Sequence, residues 1–220
     1  MKTEILSPAD VKEAVDIIFN DGTVALPTET VWGICANGLS EAAIAAVYEA
    51  KGRPETKPMS LFVSDMDMAE KLCADIPAGA YALAEAFWPG PLTMVLKKKE
   101  IVPDVLTAGG KTVGLRCPES SLALALVRMT GLPLTGTSAN LSGEPNAESF
   151  DEVISCFDGK LNAVFRDDAP CGGLPSTVVD MTGDEPKILR QGGITERDIL
   201  AVLKENTELW SLGYSLSDLL

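Results

Sequence analysis

No histidine occurs anywhere in this chain. That single absence removes serine–histidine triads, cysteine–histidine dyads and histidine metal sites together. Five cysteines are present, Cys35, Cys73, Cys117, Cys156 and Cys171. The number is odd and no pair has C-x-x-C spacing. They read as free thiols of a reducing compartment, not as a disulfide framework or a zinc site. Aromatic residues make up only 5%, few for a surface that stacks bases. Cations are also scarce: 18 Lys and Arg face 32 Asp and Glu, a net charge of −14. A broad nucleic-acid coat protein is excluded on that ground, because such surfaces need clustered Lys and Arg. A local basic groove able to grip a nucleotide is not. Long apolar runs are missing too. MKTEILSPADV has no apolar signal core, and no stretch nears the roughly 18 consecutive apolar residues of a membrane span. The expectation is no signal peptide, no membrane contact and a cytoplasmic location.

What is present fits an ordinary globular protein. Apolar residues reach 46% of 220, enough chain to bury a core without disulfides or metal. The pattern predicts one domain over 1–205 and an appended tail over 206–220. Ser7-Pro8-Ala9-Asp10 reads as a helix start, with Val11, Ala14, Val15 and Ile18 on one face. Further helices are expected at 40–50, 65–73, 79–87, 120–129, 149–157 and from Thr195 onward. Strands are expected at 23–26, 59–63, 92–96, 112–115, 133–137, 163–165, 177–180 and 187–189. Intermixed helices and strands argue an α/β layered fold with a mixed sheet, not a clean doubly wound one.

Several short segments carry polar residues at the ends of expected strands. "AGGKT", 108–112, imitates the end of a P-loop, but Val105 stands where that motif requires Gly. "LPTETVWG" follows a strand directly, the place where α/β sheets put ligands; it also reads as a plain turn. "KGRPETKP" holds three cations in an acidic chain. Arg53 offers a planar fork and Lys51 a point charge, with Gly52 allowing close backbone approach. Together they suit a polyphosphate; read alone, they read first as a solvated helix end favoured by the dipole. "TGTSANLSG" presents Ser138, Asn140 and Ser142 on a Gly-flanked loop able to offer N–H groups to phosphate oxygens, or simply a capped turn. "TVGLR" carries Thr112 and Arg116, "PSTVVD" carries Ser176, and "ILRQGG" carries Arg190.

In this order, "PTETVWG", "KGRPETKPMS", "WPGPLT", "VGLRCP", "SANLSG", "STVVD" and "ILRQGG" resemble the YrdC-like family. The best-known members of that family are L-threonylcarbamoyladenylate synthases. The resemblance runs over about residues 5–203 and points to a short form without the extra C-terminal domain of longer members. It implies a curved mixed α/β sheet flanked by helices, with a concave basic face. It implies a reaction of L-threonine, bicarbonate and ATP giving threonylcarbamoyl-AMP and pyrophosphate. Partner enzymes would then transfer the threonylcarbamoyl group to tRNA. The signature K-x-R and S-x-N gives Lys51, Arg53, Ser138 and Asn140 as the implied catalytic group. The implied ATP contacts are Arg53, Lys57, Thr112, Ser138, Asn146 and Arg190. The implied L-threonine contacts are Thr30, Arg116, Gly136 and Ser176. Mg²⁺ would arrive with ATP, with no dedicated protein metal site.

Three positions depart from the family pattern. Lys57 stands where many members have Asn, and Phe62 where many have His. Leu174-Pro175 precedes Ser176 where many carry a glutamate, so a carboxylate beside the amino-acid pocket is lost. Two other readings follow from the same residues. One is a related adenylating enzyme with a different acceptor. The other is an RNA- or nucleotide-binding module with weak tRNA binding and no chemistry.

Overall fold

The computed structural model describes residues 2–167 and 171–211, of which 206–211 are described only as helix. Among the described residues, ten strands form one open mixed sheet. They are β1 (Glu4–Leu6), β2 (Val24–Leu26), β3 (Gly33–Cys35), β4 (Ser60–Phe62), β5 (Leu92–Lys97), β6 (Thr112–Arg116), β7 (Leu134–Ser138), β8 (Ala163–Phe165), β9 (Thr177–Asp180) and β10 (Lys187–Arg190). Their order is β1-β8-β2-β3-β7-β4-β6-β5-β9-β10. Seven helices among the described residues flank it: α1 (Val11–Phe19), α2 (Glu41–Lys51), α3 (Met66–Leu72), α4 (Ala78–Phe87), α5 (Ser121–Thr130), α6 (Phe150–Phe157) and α7 (Glu196–Ser211).

Alternation along the strands sends side chains to both faces. Val24 and Leu26 of β2 enter one core with Ala14 and Ile18 of α1 and Leu126 and Val127 of α5. Ala25, between them, enters the other core, with Ile44, Val47, Leu61, Leu83 and Phe157. The sheet is therefore covered on both sides. Ile18, fully buried, contributes about 1.5–3 kcal/mol by leaving water.

Local signals set the helix ends near the site. Ser40 accepts a hydrogen bond from the Ala43 N–H and opens α2. Gly52, at φ +55°, closes it in the left-handed region, which glycine enters at little cost. The last helical residue is Lys51, turned inward by the same face that buries Val47 and Tyr48.

One helix start needs correction, and two strands add to those expected. Ser7 does not cap α1, which starts at Val11. The Asp10 carboxylate instead accepts hydrogen bonds from the Ser7 N–H and hydroxyl, at 2.8 and 2.7 Å, closing a turn between β1 and α1. Strands β1 and β3 were not foreseen. Each has three residues, too short to show alternation. With β3 present, residues 27–32 become the connection of an antiparallel β2–β3 pair, Leu26 opposite Gly33. The expected boundary at 205 falls inside α7, which runs on to Ser211; residues 212–220 of the expected tail lie outside the described residues.

Candidate active site

A cavity of about 500 Å³ opens over the middle of the sheet, within the roughly 300–1,000 Å³ range of small-molecule sites. Three arginines line it, Arg53, Arg116 and Arg190, and among the described residues no Asp or Glu does. Thr30, Thr112, Gly136, Ser138, Asn146 and Ser176 line it as well. Nine of the expected site residues are thus gathered in one place. Lys51, Lys57 and Asn140 are not part of the lining.

The loop after α2 explains how Arg53 is held. A turn carries the chain back, with the Lys57 N–H bonded to the Pro54 carbonyl at 3.0 Å. Arg53 Nε then donates to the Lys57 carbonyl at 3.1 Å and Nη2 to the Pro58 carbonyl at 2.8 Å. Both carbonyls take one edge of the guanidinium. Partial burial pulls the Arg53 pKa below its ordinary value. Lys57 contributes its carbonyl here, while its side chain is exposed.

Lys51 is 1% exposed and faces the loop after β7. Its ammonium donates to the carbonyls of Ser138 and Asn140 and to Asn140 Oδ1, the last two at 2.8 and 3.4 Å. Burial, with the Arg53 guanidinium nearby, pushes its pKa down to about 7. The three oxygens oppose that push, since they favour the charged form.

Arg116, at the end of β6, is 5% exposed. Nε donates to the Gly90 carbonyl at 3.1 Å, Nη1 to Thr30 Oγ1 at 2.9 Å and Nη2 to Glu29 Oε1 at 2.5 Å. Its guanidinium carbon lies 5.7 Å from the centre of the Phe62 ring, a cation–π contact. Three of the five guanidinium N–H are so engaged, and two remain. Gly136 is required beneath Phe62: a Cβ there would meet the ring at 2.7 Å. The other Glu29 oxygen, Oε2, is buried without a hydrogen-bond partner among the described residues.

Arg190 sits on the edge strand β10 and reaches back to β9. Nε donates to the Ser176 carbonyl at 3.1 Å and Nη2 to Ser176 Oγ at 3.0 Å. Ser176 Oγ also meets Thr93 Oγ1 at 2.8 Å. Burial and the Arg116 charge both lower the Arg190 pKa, which means the two guanidinium groups feel each other across the cavity. Gly192 of "ILRQGG" permits the close passage of this segment, because a Cβ there would lie 2.2 Å from the Pro175 carbonyl.

Glu29, Ser60 and Thr93 belong to this arrangement and were not singled out from the sequence. Ser60 and Thr93 line the cavity, and Ser60 Oγ donates to the Gly136 carbonyl at 2.7 Å. All three lay inside the quoted motifs "PTETVWG", "KGRPETKPMS" and "WPGPLT", which were the available signal.

A family model described as Telomere recombination, spanning the Sua5, YciO and YrdC proteins, matches residues 16–192. The chain belongs to the Sua5/YciO/YrdC family. Among curated members of the family, it is 40% identical over 195 residues to the threonylcarbamoyl-AMP synthase of Pyrococcus abyssi, covering 89% of this chain and 57% of that one. It is 41% identical over 208 residues to the threonylcarbamoyl-AMP synthase of Bacillus subtilis, covering 91% and 59%. The chain thus spans little more than half the length of these two relatives. Among solved structures, P. abyssi Sua5 complexed with L-threonine superposes with a TM-score of 0.87 at 37% identity, covering 92% of this chain and 61% of that one. Escherichia coli YciO shares the fold, with a TM-score of 0.81 at 22% identity over 90% of this chain and 99% of its own. The curved mixed sheet flanked by helices is therefore the architecture of the Sua5/YciO/YrdC family.

No cluster of metal-ligating side chains occurs among the described residues, and no described helix is long and apolar enough to cross a membrane.

Proposed function

We propose that this chain is an L-threonylcarbamoyladenylate synthase, a nucleotidyltransferase that forms threonylcarbamoyl-AMP and pyrophosphate from L-threonine, bicarbonate and ATP. One observation carries the reading: three arginines converge on a cavity whose lining, among the described residues, holds no acidic side chain, in a chain of net charge −14. Such a concentration of positive charge in a partly dry cleft suits a polyphosphate and the charge that develops on it. The names of the relatives support the same activity.

The amine of threonine combines with CO₂ from bicarbonate to give a carbamate and releases a proton. A carbamate oxygen then attacks the α-phosphorus of ATP, and the bond to the β-phosphate oxygen breaks. Pyrophosphate carries away the displaced charge. Such a transfer depends on positioning and electrostatic stabilisation more than on a strong protein base, so a chain without histidine can perform it. Arg53 and Arg190 take the polyphosphate, with Thr112, Ser138 and Asn146 completing the nucleotide end. The two unengaged N–H groups of Arg116 receive the threonine carboxylate, with Thr30, Gly136 and Ser176 around it. Mg²⁺ enters as part of the ATP substrate, held by phosphates and water. Lys51 and Asn140 reach the ligand through the loop that they hold, and Lys57 only through its carbonyl. The product would pass to cytoplasmic partner enzymes that modify tRNA.

The test is pyrophosphate release from ATP, Mg²⁺ and bicarbonate, with and without L-threonine. Release that needs both threonine and bicarbonate is expected. Release with another amine in place of threonine would point to a different acceptor, to which Pro175 in the cavity wall lends some weight. Bound ATP without release would favour the binding-module reading.

A further inference from the structure

As an ammonium, Lys51 has no proton left for a ligand. An ammonium carries three N–H and no acceptor, and three oxygens of one loop surround this one: the Ser138 carbonyl, the Asn140 carbonyl and Asn140 Oδ1. The same loop returns a bond, from the Ser142 N–H to the Lys51 carbonyl at 2.9 Å. Residue 51 is therefore tied to 138–142 at both its side chain and its backbone.

Asn140 is equally spent. Its Nδ2 donates to the Leu141 carbonyl at 3.0 Å and the Glu144 carbonyl at 2.7 Å. Two carbonyls on that side and an ammonium on the other settle which way the amide points. Its Oδ1 can then only accept, so Ser138 Oγ, 2.5 Å away, must give its proton to it. Ser138 lines the cavity with lone pairs alone to offer. It meets a ligand as an acceptor, suited to an N–H group or to a cation that accompanies phosphate.

We propose that Lys51 and Asn140 are positioning residues that lock the 138–142 loop into the cavity wall, and that Lys51 makes no phosphate contact of its own. This rests on the nucleotide reading above. Two members of the family signature, Arg53 and Ser138, face the ligand; the other two form the brace behind them.

The experiment compares Lys51→Met, Asn140→Ala and the double variant with wild type. ATP affinity is measured by calorimetry, and amide exchange of residues 138–144 is followed in nucleotide-free protein. Each single variant is expected to weaken ATP roughly tenfold, the scale of one lost charge-assisted bond. The double variant should be no weaker than the worse single, because both changes release one network. Exchange should quicken in 138–144 and nowhere else. Additive losses, or weakened ATP with unchanged loop exchange in Lys51→Met, would overturn the proposal and make Lys51 a direct phosphate ligand. Unchanged ATP affinity in both single variants would overturn it as well, reducing the network to fold maintenance. If Lys51→Met does not fold, Asn140→Ala alone decides by the same two readouts. Wild type that binds no ATP would remove the nucleotide reading and this proposal with it; additive losses on a wild type that binds ATP remove this proposal only.

Discussion

Arg190 holds Ser176 at two points, its carbonyl at 3.1 Å and its hydroxyl at 3.0 Å, while Thr93 meets the same hydroxyl at 2.8 Å. One serine therefore joins the proposed amino-acid end of the cavity to the proposed nucleotide end. Ser176→Ala should raise the KM for L-threonine and for ATP together, each by roughly tenfold, the scale of one hydrogen bond to a charged group. Steady-state kinetics with each substrate varied in turn would show it. A rise in one KM alone would confine Ser176 to one end.

Arg53→Ala should abolish threonine-dependent pyrophosphate release and leave the melting temperature within a few degrees of wild type. Arg53 is only half-buried, and its two bonds go to carbonyls of a surface loop. In the proposed mechanism the guanidinium acts where charge builds on the phosphates. Normal turnover in this variant would remove Arg53 from the mechanism.

The Glu29–Arg116 pair, 2.5 Å apart with 19% and 7% of their side chains exposed, should matter to stability. Glu29→Ala leaves the Arg116 charge buried without its counterion, and breaking such a pair by removing one partner costs about 3–5 kcal/mol. Glu29→Gln keeps an acceptor for Nη2 and should cost less. Urea unfolding of the two variants measures the difference; equal losses would show that the charge of Glu29 contributes nothing beyond its shape.

Lys51 sets a pH dependence with a definite sign. Its folded pKa, about 7, lies below its ordinary value of 10.5. Below pH 7 both folded and unfolded states hold the proton, and the cost of burying the charge is fully present. Between pH 7 and 10.5 the unfolded state binds more protons, so stability rises with pH through that window. Relative to Lys51→Met, wild type should gain up to about 1.4 kcal/mol per pH unit there. Denaturant unfolding at pH 6.5, 8 and 9.5, on the order of one measurement per 1.5 units, covers the window. A constant difference between the two proteins would show that the loop oxygens hold Lys51 charged throughout.

The thiols should divide by burial. Cys35, Cys73 and Cys117 are buried, and desolvation pushes them up to about 12, 12 and 11. A thiol reagent at neutral pH should label Cys156 and Cys171 in the native protein and reach the other three only after unfolding, because the thiolate is the reactive form. Mass spectrometry of labelled peptides checks each site.

Much of the fold was legible because its signals are local. Ser40, Ser120 and Ser149 cap α2, α5 and α6 with their own hydroxyls. Thr195 and Asp198 exchange the reciprocal bonds of a capping box. Apolar spacing then placed Ala14, Val15 and Ile18 in the core as expected. The short strands β1 and β3 were illegible because they owe their existence to pairing: β1 with β8, 159 residues away at Glu4↔Ala163, and β3 with its neighbour β2 on one side and the distant β7 on the other. No local pattern encodes a partner that distant.

The sequence by itself determined which chemistry was closed to this protein and which residues stood at element ends. Without histidine, and with five cysteines none of which has C-x-x-C spacing, it left arginine, lysine and small hydroxyl groups as the candidate working parts. Only the tertiary structure decided what each of them faces. Arg53, Arg116 and Arg190 come from three distant segments and reach one cavity because β4, β6, β5 and β9 lie side by side in the sheet. Lys51, two residues from Arg53, points the other way, since the last turn of α2 buries it against the loop after β7. The direction of a side chain follows from the element that carries it and from the partner packed against it, and the partner is a property of the fold.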